Sequence, residues 1–139
     1  MDDLTSQIID ACRYFGGERL RDVWIFDDER HASLYLRDTV AATIDDVDVS
    51  QFVDIERYGY VTRDTYEDLH YAEYRYTVRG FDEYDQFRTF FGEGDDRIGL
   101  FASFDSAVEP CDFRSLTESL DEIVDPAALA TVLDAEASD

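Results

Sequence analysis

The segment EYRYTVRGFDEYDQFRTFFGEGDDRIGLFASFD, residues 73 to 105, decides the fold class of this chain. It contains three apolar-rich runs separated by two turns with Gly and Asp, which predicts an antiparallel meander of three strands. Alternation is clearest in the first run, which places Tyr and Val side chains on one side of a strand and Arg75, Thr77 and Arg79 on the other.

The second and third runs of the meander carry aromatic side chains on both faces. Phe90 and Phe101 lie on the face opposite to Phe87 and Phe104. A two-layer arrangement would leave Phe90 and Phe101 in water, so we expect helices to cover both faces of the sheet.

Two helices are predicted in the first half of the chain. Residues 3 to 15 have apolar side chains at helical spacing, and Gly16-Gly17 supplies a left-handed stop. Asp48 and Gln51 have the spacing of a capping box, which predicts a second helix that ends at Gly59.

Residues 22 to 37 predict a hairpin between these two helices. The first strand, residues 22 to 26, is mostly apolar and is followed by an acidic turn. In the second strand, residues 32 to 37, Leu34 and Leu36 alternate with Ser and Tyr, which predicts that both leucines share the buried face.

The remaining segments complete the element order. Residues 39 to 47 are compatible with helix or strand, and residues 60 to 72 are predicted to be a polar, Tyr-rich loop. Asp112 is a predicted cap for a helix, and Asp125-Pro126 opens a last short helix and acidic tail, residues 125 to 139.

The order α-β-β-α-β-β-β-α predicts a single α/β (α+β) domain over residues 1 to 139, with a five-stranded antiparallel sheet and helices on both faces. This order resembles the roadblock and profilin-like folds. The resemblance implies that the first and last helices share one face and the middle helix lies on the other, and it implies no activity.

The chain is strongly acidic. It contains 34 Asp and Glu residues and 12 basic residues, all of them Arg, which gives a net charge of -22. Such a surface repels itself in dilute buffer, but at molar ionic strength the Debye length falls to about 3 Å. The composition is typical of cytosolic proteins of salt-accumulating halophiles. The alternative, a nucleic-acid mimic, is less favoured because the acids are spread along the chain.

Five segments are similar to a family of short, acidic haloarchaeal proteins of uncharacterised function. They are Ile9 to Arg13, Gly17 to Leu20 with the predicted strand that follows, Leu34 to Asp38, Glu56 to Gly59 and Glu73 to Val78. The resemblance implies a lineage and transfers no functional residue.

The amino terminus has no basic segment followed by an apolar core, and no apolar run approaches the 18 or so residues of a membrane span. We therefore predict a cytoplasmic protein without a membrane partner. No helix is basic, so direct nucleic-acid binding is not expected. Cys12 and Cys111 match no metal or redox spacing and are predicted to be buried thiols.

Three arginines stand out from the acidic background. Arg75, Arg79 and Arg88 are predicted on one face of adjacent strands, interleaved with Phe90 and Phe101. The favoured interpretation is that the arginines pair with acids of the same chain. The alternative is an interaction face for a protein partner or a small anion.

No catalytic motif, cofactor or metal site is predicted. The glycines of residues 92 to 96 lie in a hairpin turn whose acids would repel phosphate. His31 and His70 each follow acidic residues, but in a chain this acidic such proximity arises by chance.

Two functions of different class remain open. We favour a non-catalytic interaction or regulatory domain, and one form of it is a homodimer that adds strands edge to edge or pairs helices. The alternative is a small ligand-binding sensor or enzyme whose site lies in the predicted loop of residues 60 to 72 and uses Tyr66, Glu67, Asp68 and His70.

Overall fold

A computed structural model describes residues 3–42, 46–57, 59–92, 97–107 and 111–136. The helices are α1 (Leu4–Gly16), α2 (Asp38–Ala41), α3 (Asp46–Arg57), α4 (Gly59–His70), α5 (Phe113–Ile123) and α6 (Pro126–Glu136), and a short 3₁₀ turn spans Gly17–Arg19. The strands are β1 (Leu20–Phe26), β2 (His31–Leu36), β3 (Thr77–Gly80), β4 (Tyr84–Phe91) and β5 (Ile98–Asp105).

The five strands form one antiparallel sheet in the order β2-β1-β5-β4-β3. This confirms the predicted α+β class and the meander of β3, β4 and β5. The first strand of the meander is shorter than the alternation in its sequence predicts, since only Thr77–Gly80 pairs with β4. Strand β5 lies at the centre of the sheet, between β1 and β4.

Helices cover both faces of the sheet, as predicted from Phe90 and Phe101. On one face, buried side chains of α1, α5 and α6 pack with Phe87 and Phe104. On the other face, Val53 of α3 packs with Phe90 and Phe101. Three layers result, because both faces of β4 and β5 carry side chains too apolar to leave in water.

The predicted helix ends at both termini of the fold are confirmed. Gly17 ends α1 with φ +60°, a left-handed conformation that glycine adopts without steric cost. Asp112 caps α5, its side chain accepting a hydrogen bond from the Ser115 amide at 3.1 Å. Pro126 opens α6, and residues 137 to 139 lie outside the described residues.

The prediction that Leu34 and Leu36 share one face is wrong. The register between β1 and β2 shifts after Val23, which pairs with Tyr35, while the next residue of β1 pairs with Ser33. Leu34 is the extra residue of this bulge. Leu34 packs on the α1 side of the sheet and Leu36 on the α3 side, because a one-residue insertion reverses the alternation beyond it.

The prediction of a loop over residues 60 to 72 is also wrong, because α4 spans Gly59–His70. Its polar residues pair at helical spacing: Arg63 Nε lies 4.0 Å from Glu67 Oε2, and the rings of Tyr66 and His70 stack 6.1 Å apart. Such contacts support a helix that has little apolar periodicity.

The middle helix starts earlier than its predicted cap. α3 begins at Asp46, so Asp48 lies within the helix. In the stretch compatible with helix or strand, α2 covers Asp38–Ala41, and residues 43 to 45 lie outside the described residues. The side chains of Val49, Phe52 and Tyr58, predicted on the apolar side of this helix, also lie outside them.

Gly59 has a different role from the predicted helix stop. It is not among the described glycines with positive φ. A Cβ atom at Gly59 would lie 2.8 Å from both the Arg88 guanidinium carbon and the Phe90 ring. A glycine fits here because the side chains of Arg88 and Phe90 from β4 lie directly against the helix backbone.

We expect Gly59→Ala to lower the free energy of unfolding by about 1–3 kcal/mol, because the added methyl group overpacks this contact. Helix propensity alone would predict a gain of up to about 1 kcal/mol. Denaturant titration measures the difference. Gly80→Ala is the matched control, since its Cβ would meet its nearest atom, Asp85 Oδ1, at an ordinary 3.4 Å. Equal stability of the two variants would contradict the close approach.

Candidate functional site

The structure brings together two of the three predicted arginines. Arg79 Nη1 lies 2.6 Å from one carboxylate oxygen of Glu56, and Arg88 Nη1 lies 3.2 Å from the other. Arg75 lies apart from this group and pairs with Asp121 of α5 at 3.3 Å. All three arginines therefore pair with acids of the same chain.

Glu56 and Arg88 form a buried ionic contact between α3 and the sheet. Both side chains are almost fully buried, at 3% and 5% exposure. Arg88 Nη2 also donates to Thr77 Oγ1 at 2.9 Å, and its guanidinium lies 5.2 Å from the centre of the Phe90 ring. Because removal of one partner would leave an uncompensated buried charge, this cluster fixes where α3 sits on β3 and β4.

The interaction face offered as the alternative is largely buried. Arg88, Phe90 and Phe101 are buried beneath α3, whereas Arg79 is partly accessible and Arg75 is exposed. The sequence pattern identified which side chains share a face of the sheet, but it did not show that α3 covers that face.

Exposed apolar side chains gather instead at the end of α4. Tyr66, Leu69 and Tyr71 are exposed by 48%, 66% and 96%. His70 stacks on Tyr66, whose other neighbour is the ring of Tyr74 at 5.7 Å. We call Tyr66, Leu69, His70 and Tyr71 the α4 surface, and none of its four members is acidic.

Tyr71 has a strained backbone as well as an exposed ring. Its φ of 53° lies in the left-handed region, where it is the one non-glycine residue among those described. A bulky side chain is uncommon there, because the Cβ atom approaches the following carbonyl oxygen. The Tyr71 amide donates to the Glu67 main-chain oxygen at 2.9 Å and so ends α4, whereas the ring lies almost wholly in solvent.

The four residues of the alternative ligand site share a helix but do not converge. The Glu67 carboxylate accepts a hydrogen bond from the Tyr74 amide at 2.9 Å, and Asp68 is exposed. Successive helical residues point about 100° apart, so only Tyr66 and His70 face each other. The ligand-binding interpretation stays a prediction.

The acidic turn before His31 has a structural role. The Asp27 carboxylate accepts hydrogen bonds from the amides of Glu29 and Arg30 at 2.9 and 2.6 Å. The pKa of His31 is lowered by partial burial and by the charge of Arg57. Within the described ranges, no group of three or more His, Cys, Asp or Glu side chains could hold a metal ion.

Residues 93 to 96, which make up most of the predicted turn of residues 92 to 96, lie outside the described residues. Of the two cysteines, Cys12 is buried in the core, where burial raises its pKa to about 12. Cys111 is half-buried rather than buried, and neither thiol forms a disulfide.

A second charged cluster, which sequence reasoning missed, surrounds Asp105 at the end of β5. Arg37 donates to both carboxylate oxygens at 2.8 and 2.9 Å, and Arg21 Nη1 lies 3.6 Å away. Arg19 Nη1 donates to the main-chain oxygen of Asp105 at 3.2 Å. The hydrogen bonds from Arg37 lower the pKa of Asp105. The residues are far apart in sequence, so only the strand order could have joined them.

Asp22 is a buried carboxylate beside this cluster. Its Oδ1 atom accepts hydrogen bonds from the Ser103 amide at 3.0 Å and from the Ser103 hydroxyl at 2.7 Å. Burial raises the pKa of Asp22, and these hydrogen bonds oppose the rise without cancelling it. The pair joins β1 to β5 through side chains as well as the main chain.

Comparison with known proteins identifies the family. A family described as a domain of unknown function, DUF7522, matches residues 6–125, and the chain belongs to it. No curated protein and no solved structure matches the chain. Among the described residues, no helix is long and apolar enough to cross a membrane.

We expect Asp22→Asn to raise the free energy of unfolding at neutral pH. The raised pKa means that the folded protein disfavours the charged form, so ionisation of Asp22 reduces stability as the pH rises through its folded-state pKa. Asparagine keeps the acceptor for Ser103 and removes the charge.

Denaturant titration across pH measures this effect. The advantage of Asp22→Asn should vanish at acidic pH, where the wild-type carboxyl is already neutral. Asp28→Asn, at a solvent-exposed position, is the control for the change in net charge. An advantage that persists unchanged into acid would contradict the assignment.

Proposed function

We propose that this chain is a non-catalytic regulatory domain that binds a second copy of itself through the α4 surface. Tyr71 is the observation that carries the proposal, because it combines a left-handed backbone with a ring that is 96% exposed. Residues with such backbone conformations cluster at binding and switch sites. A tyrosine whose ring lies almost wholly in solvent is suited to a contact with another molecule.

The remainder of α4 supports helix pairing. Its buried or half-buried described positions are Gly59, Arg63 and Glu67, which recur every four residues and face the body of the protein. Tyr66 and Leu69 lie outside this line and are exposed. A helix whose apolar side chains Tyr66 and Leu69 are exposed to solvent can pair with a helix of another molecule.

Charge favours a second copy over a basic partner. A basic protein would be attracted to the abundant carboxylates elsewhere, whereas the four residues of the α4 surface contain none. In a two-fold symmetric dimer the same patch meets itself, so an uncharged patch places no like charges in direct contact. The cost of pairing two chains of charge -22 is then the long-range repulsion, which salt screens.

We further propose that the protein works in a cytosol of molar salt. The support is compositional: 34 acidic residues and no Lys, on a chain with 45% hydrophobic residues and a packed core on each face of the sheet. Salt would weaken the repulsion between surface carboxylates and strengthen apolar contacts, so folding and pairing would respond in the same direction.

We expect Tyr71→Asn to shift the protein from dimer to monomer in molar KCl, measured by sedimentation equilibrium. The same substitution should raise the free energy of unfolding of the monomer by about 0.5–1 kcal/mol, because asparagine tolerates the left-handed region better than tyrosine. Stability is compared at a dilution where both proteins are monomeric.

Tyr14→Asn is the matched control. Tyr14 lies on α1, far from α4 in sequence, and is 94% exposed. Its replacement by Asn removes a ring of the same size as the ring of Tyr71. It should leave the dimer unchanged. Equal dissociation constants for Tyr71→Asn and the wild type, or equal weakening by Tyr14→Asn, would rule out the α4 surface as the interface.

We also expect the melting temperature and the dimer fraction of the wild type to rise together from millimolar to molar KCl. Screening of the -22 charge is the cause, so sucrose at matched osmolarity should raise the melting temperature less and should not restore the dimer. Differential scanning calorimetry and sedimentation report the two quantities. A response to sucrose equal to that in KCl would contradict screening.

A further inference from the structure

A groove of about 400 Å³ runs between α1 and α5, on the side of the sheet away from α4. Its apolar lining includes Ala11, Phe15 and Leu116, and hydroxyl groups of Ser115 and Ser119 line it from α5. Volume and lining are in the range of small-molecule sites, which combine an apolar body with a few polar groups.

Arg19 contributes a guanidinium to this groove that lacks a carboxylate side-chain partner among the described residues. Its Nη1 donates to the main-chain oxygen of Asp105 at 3.2 Å and contacts Cys111 Sγ at 3.5 Å. Arg37 and Arg21, its neighbours in the cluster, both pair with the Asp105 carboxylate. A half-buried guanidinium with neutral partners favours the approach of an anion.

The groove edge also carries an unexplained aromatic ring. Tyr14 lines the groove and is 94% exposed, so it contributes little to the folded core. A ring at this position can close over the apolar part of a bound molecule and gain the burial that it lacks in the free protein.

We propose that the α1–α5 groove binds a small molecule with an apolar body and a single carboxylate, which Arg19 anchors. The apolar body lies along Phe15 and Leu116 beneath Tyr14. A single charge is specified because the groove supplies one guanidinium and one carboxylate, Asp112, which caps α5 and repels a second negative group. This site is separate from the α4 surface, so its test is independent of dimer formation.

Cys111 provides a direct reporter, because its half-buried thiol lines the groove. Cys12 does not compete, since it is fully buried with a pKa of about 12. The experiment follows alkylation of the full chain by iodoacetamide in molar KCl, with hexanoate as the probe. At hexanoate concentrations ten times its dissociation constant, we expect alkylation to slow about tenfold.

Two further probes test the two parts of the ligand. Hexanol keeps the apolar body without the charge, and inorganic phosphate keeps a charge without the body. Both should protect Cys111 far less than hexanoate at equal concentration. Protection by hexanol equal to that by hexanoate, or by phosphate alone, would overturn the proposal, as would a lack of protection by hexanoate.

Arg19→Gln should abolish the protection by hexanoate. Arg114→Gln is the matched control, because Arg114 is an exposed arginine of α5 that is not part of the groove lining. A second variant, Ser119→Asp, adds a carboxylate at an exposed groove position and should also abolish protection even where Arg19→Gln does not fold. Full protection in Arg19→Gln would overturn the role of Arg19, and full protection in Ser119→Asp would overturn the binding of a carboxylate in the groove.

Discussion

The structure depends on the burial of both faces of the central strands. Strand β5 is buried along its length except at Asp105, and β4 is buried from Phe87 to Phe91. Burial of a Phe side chain contributes about 1.5–3 kcal/mol, so leaving Phe90 and Phe101 in water would cost several kcal/mol of a small net stability. Helices on both faces satisfy this constraint, and the three layers follow from it.

Helix α3 is held against its face of the sheet by ion pairs as well as by apolar contacts. Val53 of α3 packs against Phe90 and Phe101. Glu56, one turn further along the same helix, forms ion pairs with Arg79 and Arg88 of the sheet. A buried ion pair contributes little net stability, but a buried charge without its partner is strongly destabilising. Positions of α3 that would separate Glu56 from its arginines are therefore disfavoured. Gly59 then allows α4 to begin directly against the same arginine.

The acidic surface and the exposed apolar patches are consistent with each other in concentrated salt. A net charge of -22 opposes both compaction and association in dilute buffer, whereas screening by concentrated salt removes most of that repulsion. The α1–α5 groove lies on the α1 side of the sheet, and α4 begins against Arg88 and Phe90 on the other side. The α4 surface and the α1–α5 groove share no lining residue.

The sequence by itself determined the strand pattern, the two-sided sheet and the ends of α1, α5 and α6, because these follow from local alternation, glycine conformation and capping. It did not reveal α4, whose stabilising pairs are polar, or the bulge at Leu34, which depends on pairing with β1. Only the tertiary structure decided that Arg88 is buried on Glu56 while Arg75 turns to α5. An arginine's partner depends on which helix covers the strand, and that placement is set by contacts between residues distant in sequence.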